Sequence, residues 1–257
     1  MPFNTLFVIF FVYLCGVQAQ VMAILNVTPD SFFAGSRIAD TDQLVTVAQR
    51  ALDEGADMLD LGACSTRPDS QPVSEEEEWR RLQPALETLR CHFPKTQLSL
   101  DTFRPTIAKK ALELFGPMII NDISGGCTEM FELVRAHRVP YIWTLRGDYS
   151  RLEQINELSG IDLILDIGLG FTGGVENDYR CLRAMDSLQP YNRPILVGVS
   201  RKSMLYRLLN TTPEDCLAAS QVVHFYALQH GATILRVHDV KEAVRTITLY
   251  EKIANSN

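Results

Sequence analysis

The side chains best suited to chemistry recur at intervals along the chain: Asn26, Asp60, Asp101, Asn121 with Asp122, Thr144 with Arg146, Asp166, Ser200 with Lys202, and Arg236 with His238. Each stands at the end of a short apolar run. A lone Asp in such a place is most often a helix cap or an Asx-turn. A polar group after every run is a different pattern, because buried carboxylates and amides are costly unless paired, and a ring of them marks a polar ligand. The set divides by charge. Arg67, Lys202, Arg236 and His238 are cations on an acidic chain, able to hold an anion through charge-assisted hydrogen bonds worth about 1.5–3 kcal/mol each; the plainer alternative is that they pair with carboxylates such as Asp239. Asp101, Asn121 and Asp166 suit a flat heterocycle with adjacent ring and exocyclic N–H groups, since a carboxylate accepts twice and Asn both donates and accepts. The expected ligand carries an anion at one end and a nitrogen heterocycle at the other, with carboxylates and cations facing opposite ends.

Positioning such a set needs a scaffold that gathers distant residues. The apolar runs Val21–Leu25, Met58–Leu61, Gln97–Leu100, Met118–Ile120, Tyr141–Trp143, Leu163–Leu165, Ile195–Val199 and Thr233–Leu235 alternate with helical patterns. Continuous apolar runs fit strands buried on both faces, and alternation with helices implies parallel pairing through right-handed crossovers. The reading is an α/β fold, a single (βα)8 TIM barrel, in which the carboxyl ends of the strands share one mouth. Thr41 precedes a helix through Glu54 that stops at Gly55. Ser74 with Glu77 reads as a capping box, and the acidic run Glu75–Glu78 sits where the helix dipole favours it. Pro105 suits a first helical turn, and Thr212-Pro213-Glu214 opens the helix before the last strand. Between the fifth and sixth strands, Arg146 to Ile161 leave room only for a short helix around Arg151–Leu158, so the fifth βα unit is the weakest.

A chain of 257 residues suits one such barrel. With 46% hydrophobic and 21% charged residues it can bury a sizeable core. The net charge of −7 and the lack of any long basic run argue against nucleic acid as a partner. Cys15, Cys64, Cys91, Cys127, Cys181 and Cys216 show neither zinc spacing nor a small disulfide framework, and most read as reduced core thiols. His92, His137, His224 and His230 fall in or beside helices and read as surface or packing residues. Residues 1–20 form an apolar N-terminal segment, ahead of a barrel domain at 21–257. Leu6–Val17 is too short to span a bilayer but has the size of a signal-peptide core, and Val17-Gln18-Ala19 resembles a cleavage site. No Lys or Arg precedes it; strands closing the barrel bottom and a misassigned start are the alternatives, and the expected location is cytoplasmic.

Several segments together resemble one family. AILNVTPDSF (23–32), STRP (65–68), SLDT (99–102), INDISGG (120–126), VGVSRKS (197–203) and LRVHDV (235–240) look like dihydropteroate synthase, in family order over nearly the whole barrel. The resemblance implies condensation of 6-hydroxymethyl-7,8-dihydropterin diphosphate with p-aminobenzoate to give 7,8-dihydropteroate and pyrophosphate. It implies that Asp101, Asn121, Asp166 and Lys202 hold the pterin, with Asp60 supporting that pocket. Asn26 would help bind Mg²⁺ and, with Arg67, Arg236 and His238, the diphosphate. Thr66, Pro68, Phe171 and Ser203 would form the p-aminobenzoate site, where sulfonamides compete, and a homodimer is implied. Asp101 would face the positive charge growing on the pterin methylene while Arg236 and His238 face the leaving group. On this basis Arg236→Ala weakens diphosphate binding and spares the fold.

The chain departs from the family in places. Trp143-Thr144-Leu145 stands where Met-His-Met is usual, changing the pocket wall against the pterin. Residues 166–173 lack the usual loop Lys, Cys64 replaces a Glu, and the stretch between the fifth and sixth strands is short. Two other readings stand beside it: a relative that binds pterin without condensing it, and a pterin-dependent methyltransferase, which loosely shares the first and fourth motifs, needs a corrinoid partner and leaves SRKS without a role.

Overall fold

The computed structural model describes residues 19–27, 41–63 and 73–256. Eight parallel strands close into a barrel in sequence order: β1 (Gln20–Asn26), β2 (Met58–Gly62), β3 (Gln97–Asp101), β4 (Ile119–Asp122), β5 (Pro140–Thr144), β6 (Asp162–Asp166), β7 (Ile195–Val197) and β8 (Ile234–Val237). Closure comes from β1, which pairs with β2 (Met22 against Met58) and with β8 (Val21 against Leu235). The expected runs and the observed strands agree to within one or two residues. β7 is the one that stops short, ending at Val197 rather than Val199.

Side chains alternate across a strand, so every second residue points into the barrel. Met22, Met58, Ile119, Ile142, Ile164, Leu196 and Ile234 form a buried apolar plug inside it. Two residues further along the same face of each strand come Ile24, Asp60, Asn121, Thr144, Asp166, Gly198 and Arg236. The barrel is therefore oily below and polar at the mouth, and the period of two that builds the plug also aims the polar set. The alternate residues, among them Leu59, Leu61, Leu98, Tyr141, Trp143, Leu163 and Leu165, pack outward in the larger core under the helices.

That outer layer is α1 (Thr41–Asp53), α2 (Glu75–His92), α3 (Pro105–Phe115), α4 (Thr128–His137), α5 (Val175–Arg183), α6 (Ser203–Leu209), α7 (Leu217–Gln229) and α8 (Val240–Ala254). α1 buries Leu44, Ala48 and Ala51, and the chain turns away at Gly55, whose φ of 102° favours glycine. α2 is capped by Ser74, whose hydroxyl accepts from the Glu77 amide at 3.2 Å. The reciprocal half of the expected box is absent; the Glu77 carboxylate pairs with Arg80 and Arg81 instead. Pro105 opens α3 as expected, and a 3-10 turn, Glu214–Cys216, leads into α7. The fifth unit has only the 3-10 segment Tyr149–Asn156, which starts earlier than the short helix expected and buries Leu152 alone. Residues 1–18 lie outside the described residues, and with them the leader and barrel-bottom expectations. No helix among the described residues is long and apolar enough to cross a membrane.

Candidate active site

Arg236 is the hub of the mouth. It rises from β8, and its Nε donates to Asp60 Oδ2 of β2 at 2.7 Å while its Nη2 donates to Asp101 Oδ2 of β3 at 2.8 Å. Asn121 of β4 adds its Nδ2 to the same Asp60 oxygen at 3.1 Å. Asp60 is fully buried and the Arg236 side chain is 18% exposed, so this is a desolvated ion-pair cluster and not a surface bridge. Burial alone would lower the Arg236 pKa, but Asp60 and Asp101 hold the guanidinium above its ordinary value. Burial pushes the Asp101 carboxyl up to about 7, against the pull of Arg236.

A second group lies across β5, β6 and the loop after β7. Asp166 Oδ2 accepts from the Thr144 hydroxyl at 3.1 Å and its Oδ1 from the Gly168 amide at 3.0 Å. Burial raises the Asp166 pKa, opposed by the Lys202 ammonium. Lys202 Nζ donates to the Leu169 carbonyl and lies 5.2 Å from the centroid of the Phe171 ring; burial brings its pKa down to about 8. Gly168, at φ 78°, lets the loop after β6 cross the end of β5, since a Cβ there would sit 2.7 Å from the Arg146 amide nitrogen.

Two further glycines show that these groups adjoin. A Cβ built on Gly62 would meet Asn26 Oδ1 and the Asp101 side chain at 3.4 Å. One on Gly198 would lie 3.7 Å from Arg236 Cβ and 3.8 Å from Lys202 Nζ. Hydrogen at both positions leaves room between the polar groups. Asn26, Asp60, Asp101, Asn121, Asp166, Lys202 and Arg236 thus line one mouth. Phe171 joins them through Lys202, and Ser203 begins α6 directly after it. His238 follows β8, its amide donating to Ser200 Oγ at 3.3 Å. Thr66, Arg67 and Pro68 lie outside the described residues, as does Cys64.

Two expectations are corrected by this geometry. Carboxylates and cations are not parted to separate sides of the mouth: Asp101 and Arg236 are in direct contact, because the period-two face of β8 delivers Arg236 onto the carboxylates of β2 and β3. Trp143 does not wall the pocket; it points outward, and its indole Nε1 donates to the Gly125 carbonyl at 2.8 Å. The residue of that altered strand end that reaches the mouth is Thr144.

The sequence reading also missed two supports. Arg201, beside Lys202, makes a two-pronged ion pair with Asp239 at 2.8 Å and 2.8 Å, tying the loop after β7 to the one after β8. Arg201 thus takes Asp239, while Arg236 among the mouth cations does pair with carboxylates, those of Asp60 and Asp101. Glu78, one of four consecutive acids, is buried and accepts from the Thr102 hydroxyl at 2.7 Å and from Arg104, which also donates to the carbonyls of Val73 and Ser74. Its helical spacing with Leu82, Ala85, Leu86 and Leu89, all buried, was the available signal.

Comparison with known proteins agrees with the mouth's chemistry. The family model described as pterin binding enzyme matches residues 22–157 and 147–238. Dihydropteroate synthase of Escherichia coli (strain K12) is 35% identical, over 90% of this chain and 90% of its own length. Among solved structures, the Yersinia pestis dihydropteroate synthase in a sulfonamide drug complex superposes with a TM-score of 0.85 at 34% identity, covering 93% of this chain and 95% of that one. The Xanthomonas albilineans dihydropteroate synthase with 4-aminobenzoic acid gives 0.84 at 32% identity, covering 93% and 94%. An eight-stranded barrel with a mouth of this composition, alike in sequence and in shape to these enzymes over nearly its whole length, belongs to the pterin-binding enzymes as a member of the dihydropteroate synthase family.

Proposed function

We propose that the chain is a transferase that joins 6-hydroxymethyl-7,8-dihydropterin diphosphate to p-aminobenzoate, forming 7,8-dihydropteroate and releasing pyrophosphate in folate synthesis. The observation that carries the reading is the convergence of Asp101, Asn121, Asp166 and Lys202 on one mouth above an apolar floor. Asp166 is turned by two fixed donors, Thr144 and Gly168, and keeps a lone pair on each oxygen. That arrangement suits adjacent N–H donors on the pyrimidine edge of a pterin, with Asn121 and Lys202 serving its remaining ring positions.

Reaction requires the methylene C–O bond to break as the aniline nitrogen forms its C–N bond, with the electron pair leaving on pyrophosphate and the amine proton passing to solvent. The aniline is already a competent nucleophile, so positioning and charge carry the step. Asp101 meets positive charge developing at the methylene. Arg236 commits two of its five N–H groups to carboxylates, which fixes its plane; the others serve the diphosphate together with His238 and Arg67. Thr66, Pro68, Phe171 and Ser203 hold p-aminobenzoate, and sulfonamides compete there.

Mg²⁺ is the proposed cofactor. Among the described residues no group of three or more His, Cys, Asp or Glu could hold a metal ion. The Asn26 amide oxygen beside Gly62 supplies one hard donor at the mouth, and a Mg²⁺ that keeps several waters and takes phosphate oxygens needs few from the protein. Bound there, the ion would offset negative charge on the leaving diphosphate. We also propose a homodimer, in which a partner copy would cover apolar side chains left exposed on α7 and α8, namely Val222, Leu249 and Ile253. The four described cysteines are free thiols, which suits a reducing cytoplasm; Cys181 and Cys216 are buried as core thiols, whereas Cys91 and Cys127 are exposed, against the expected core placement. The test of function is release of pyrophosphate and appearance of dihydropteroate, each dependent on p-aminobenzoate and Mg²⁺. Pterin binding without product refutes the condensation.

A further inference from the structure

We propose that Arg151, with Trp143 beneath it, is a positioning residue for pterin binding, holding the glycine turn that follows Asn121. The two departures of the fifth unit from the family pattern, its altered strand end and its short connection, meet at this pair. The stretches matched by the family model overlap at residues 147–157, where Arg151 lies. Its guanidinium sits 5.3 Å from the centroid of the Trp143 ring. Nη1 donates to the Thr144 carbonyl at 3.2 Å and Nη2 to the Gly125 carbonyl, which also accepts the Trp143 indole N–H at 2.8 Å. One carbonyl thus takes a charged and a neutral donor, while the same guanidinium grips the end of β5 at the residue that orients Asp166.

The gripped turn has little packing of its own, though the Gly126 amide donates to Ser124 Oγ at 3.1 Å. Gly125 and Gly126 both have positive φ, at 88° and 85°, and carry no side chains to pack. Local support comes from Asp122, which accepts the Ser124 amide at 2.7 Å and the Tyr141 hydroxyl at 2.9 Å. Arg151 occupies the space beside Gly125 that a side chain would fill, its Nη1 standing against the position of a Cβ. Asn121 and Asp122 open directly into this turn. Freeing Gly125 therefore loosens Asn121 on one side and Thr144 with Asp166 on the other, both on the pterin side of the mouth.

The inference rests on the pterin reading of the site. It is tested by calorimetric binding of the pterin diphosphate, which needs no turnover, together with KM for p-aminobenzoate and thermal unfolding. Arg151→Ala should weaken pterin diphosphate binding tenfold or more and leave the p-aminobenzoate KM within twofold. Arg151→Lys keeps the charge but not the fork and should weaken it threefold or more. Trp143→Phe, which keeps a ring and loses the indole N–H, should also weaken it, and these two milder variants decide the matter if Arg151→Ala fails to fold. Pterin affinity within twofold of the parent in all folded variants overturns the inference alone. Equal weakening of both substrates in step with the melting temperature overturns it in favour of a merely structural role. A parent protein that does not bind the pterin diphosphate overturns this inference and the functional reading together.

Discussion

Replacing Arg236 by Ala tests the mouth as an electrostatic unit. The sequence alone suggested that this change weakens diphosphate binding and spares the fold; the structure revises that expectation. Arg236 is the counter-ion of two carboxylates at 2.7 Å and 2.8 Å, one of them fully buried and the other 11% exposed. Removing it leaves Asp60 and Asp101 facing each other without a cation in a desolvated pocket. Breaking a buried pair by deleting one partner costs about 3–5 kcal/mol, since the remaining charge keeps its desolvation penalty. For a chain of this size, about 2–4 °C per kcal/mol gives a fall in melting temperature of about 6–20 °C. Thermal unfolding and urea titration, read against the parent at pH 8, measure it. The double variant Arg236→Ala with Asp101→Asn removes one of the two uncompensated charges and should recover about 1.5–2.5 kcal/mol. A melting temperature for Arg236→Ala within about 2 °C of the parent refutes the idea that Arg236 neutralises the carboxylates.

The remaining predictions concern protonation and orientation. Burial lifts Asp101 from 3.8 to about 7, so the folded state binds this proton more tightly than the unfolded one. The resulting stability is present below about pH 4 and is lost as pH rises through 7. Urea midpoints between pH 5 and 8 should decline less in Asp101→Asn than in the parent; identical slopes would remove Asp101 as the cause. On the proposed mechanism catalysis needs Asp101 ionised and Lys202, whose pKa burial brings to about 8, protonated. kcat/KM should therefore follow a narrow bell with limbs near 7 and 8 in the free enzyme, and any residual activity of Asp101→Asn should lack the acid limb. Thr144→Val deletes the hydroxyl that orients Asp166 at near-constant shape, leaving one carboxylate oxygen without its donor. Pterin diphosphate binding should weaken by about 1.5–3 kcal/mol, roughly ten- to a hundredfold, with p-aminobenzoate KM unchanged. Equal pterin affinities in calorimetry would dismiss the contact.

The barrel was legible because strands buried on both faces must be written as unbroken apolar runs, and each of these ends at a polar residue that the mouth receives. Asp60, Asp101, Asn121 and Asp166 could be picked out on that ground. Which groups touch was not legible. Arg236 lies 176 residues from Asp60 and 135 from Asp101, and a side chain's sign does not name its partner across such distances. The facing of Trp143 and Thr144 follows from the alternation that puts Ile142 in the plug, a period masked where both faces of a strand are apolar. Glu78 looks like its three acidic neighbours until the helical spacing is counted. Arg151 could not be seen at all, because a 3-10 segment without an apolar stripe leaves no periodic signal for the direction of its side chains.

The most direct measurement is a crystal structure of the protein with a bound 6-substituted pterin. The account predicts the pyrimidine edge against Asp166 and Asn121, Lys202 on the same ring, and the 6-substituent directed toward Arg236 beside Asp101. A pterin seated outside the strand ends, or inside them with Asp166 and Lys202 untouched, would contradict it.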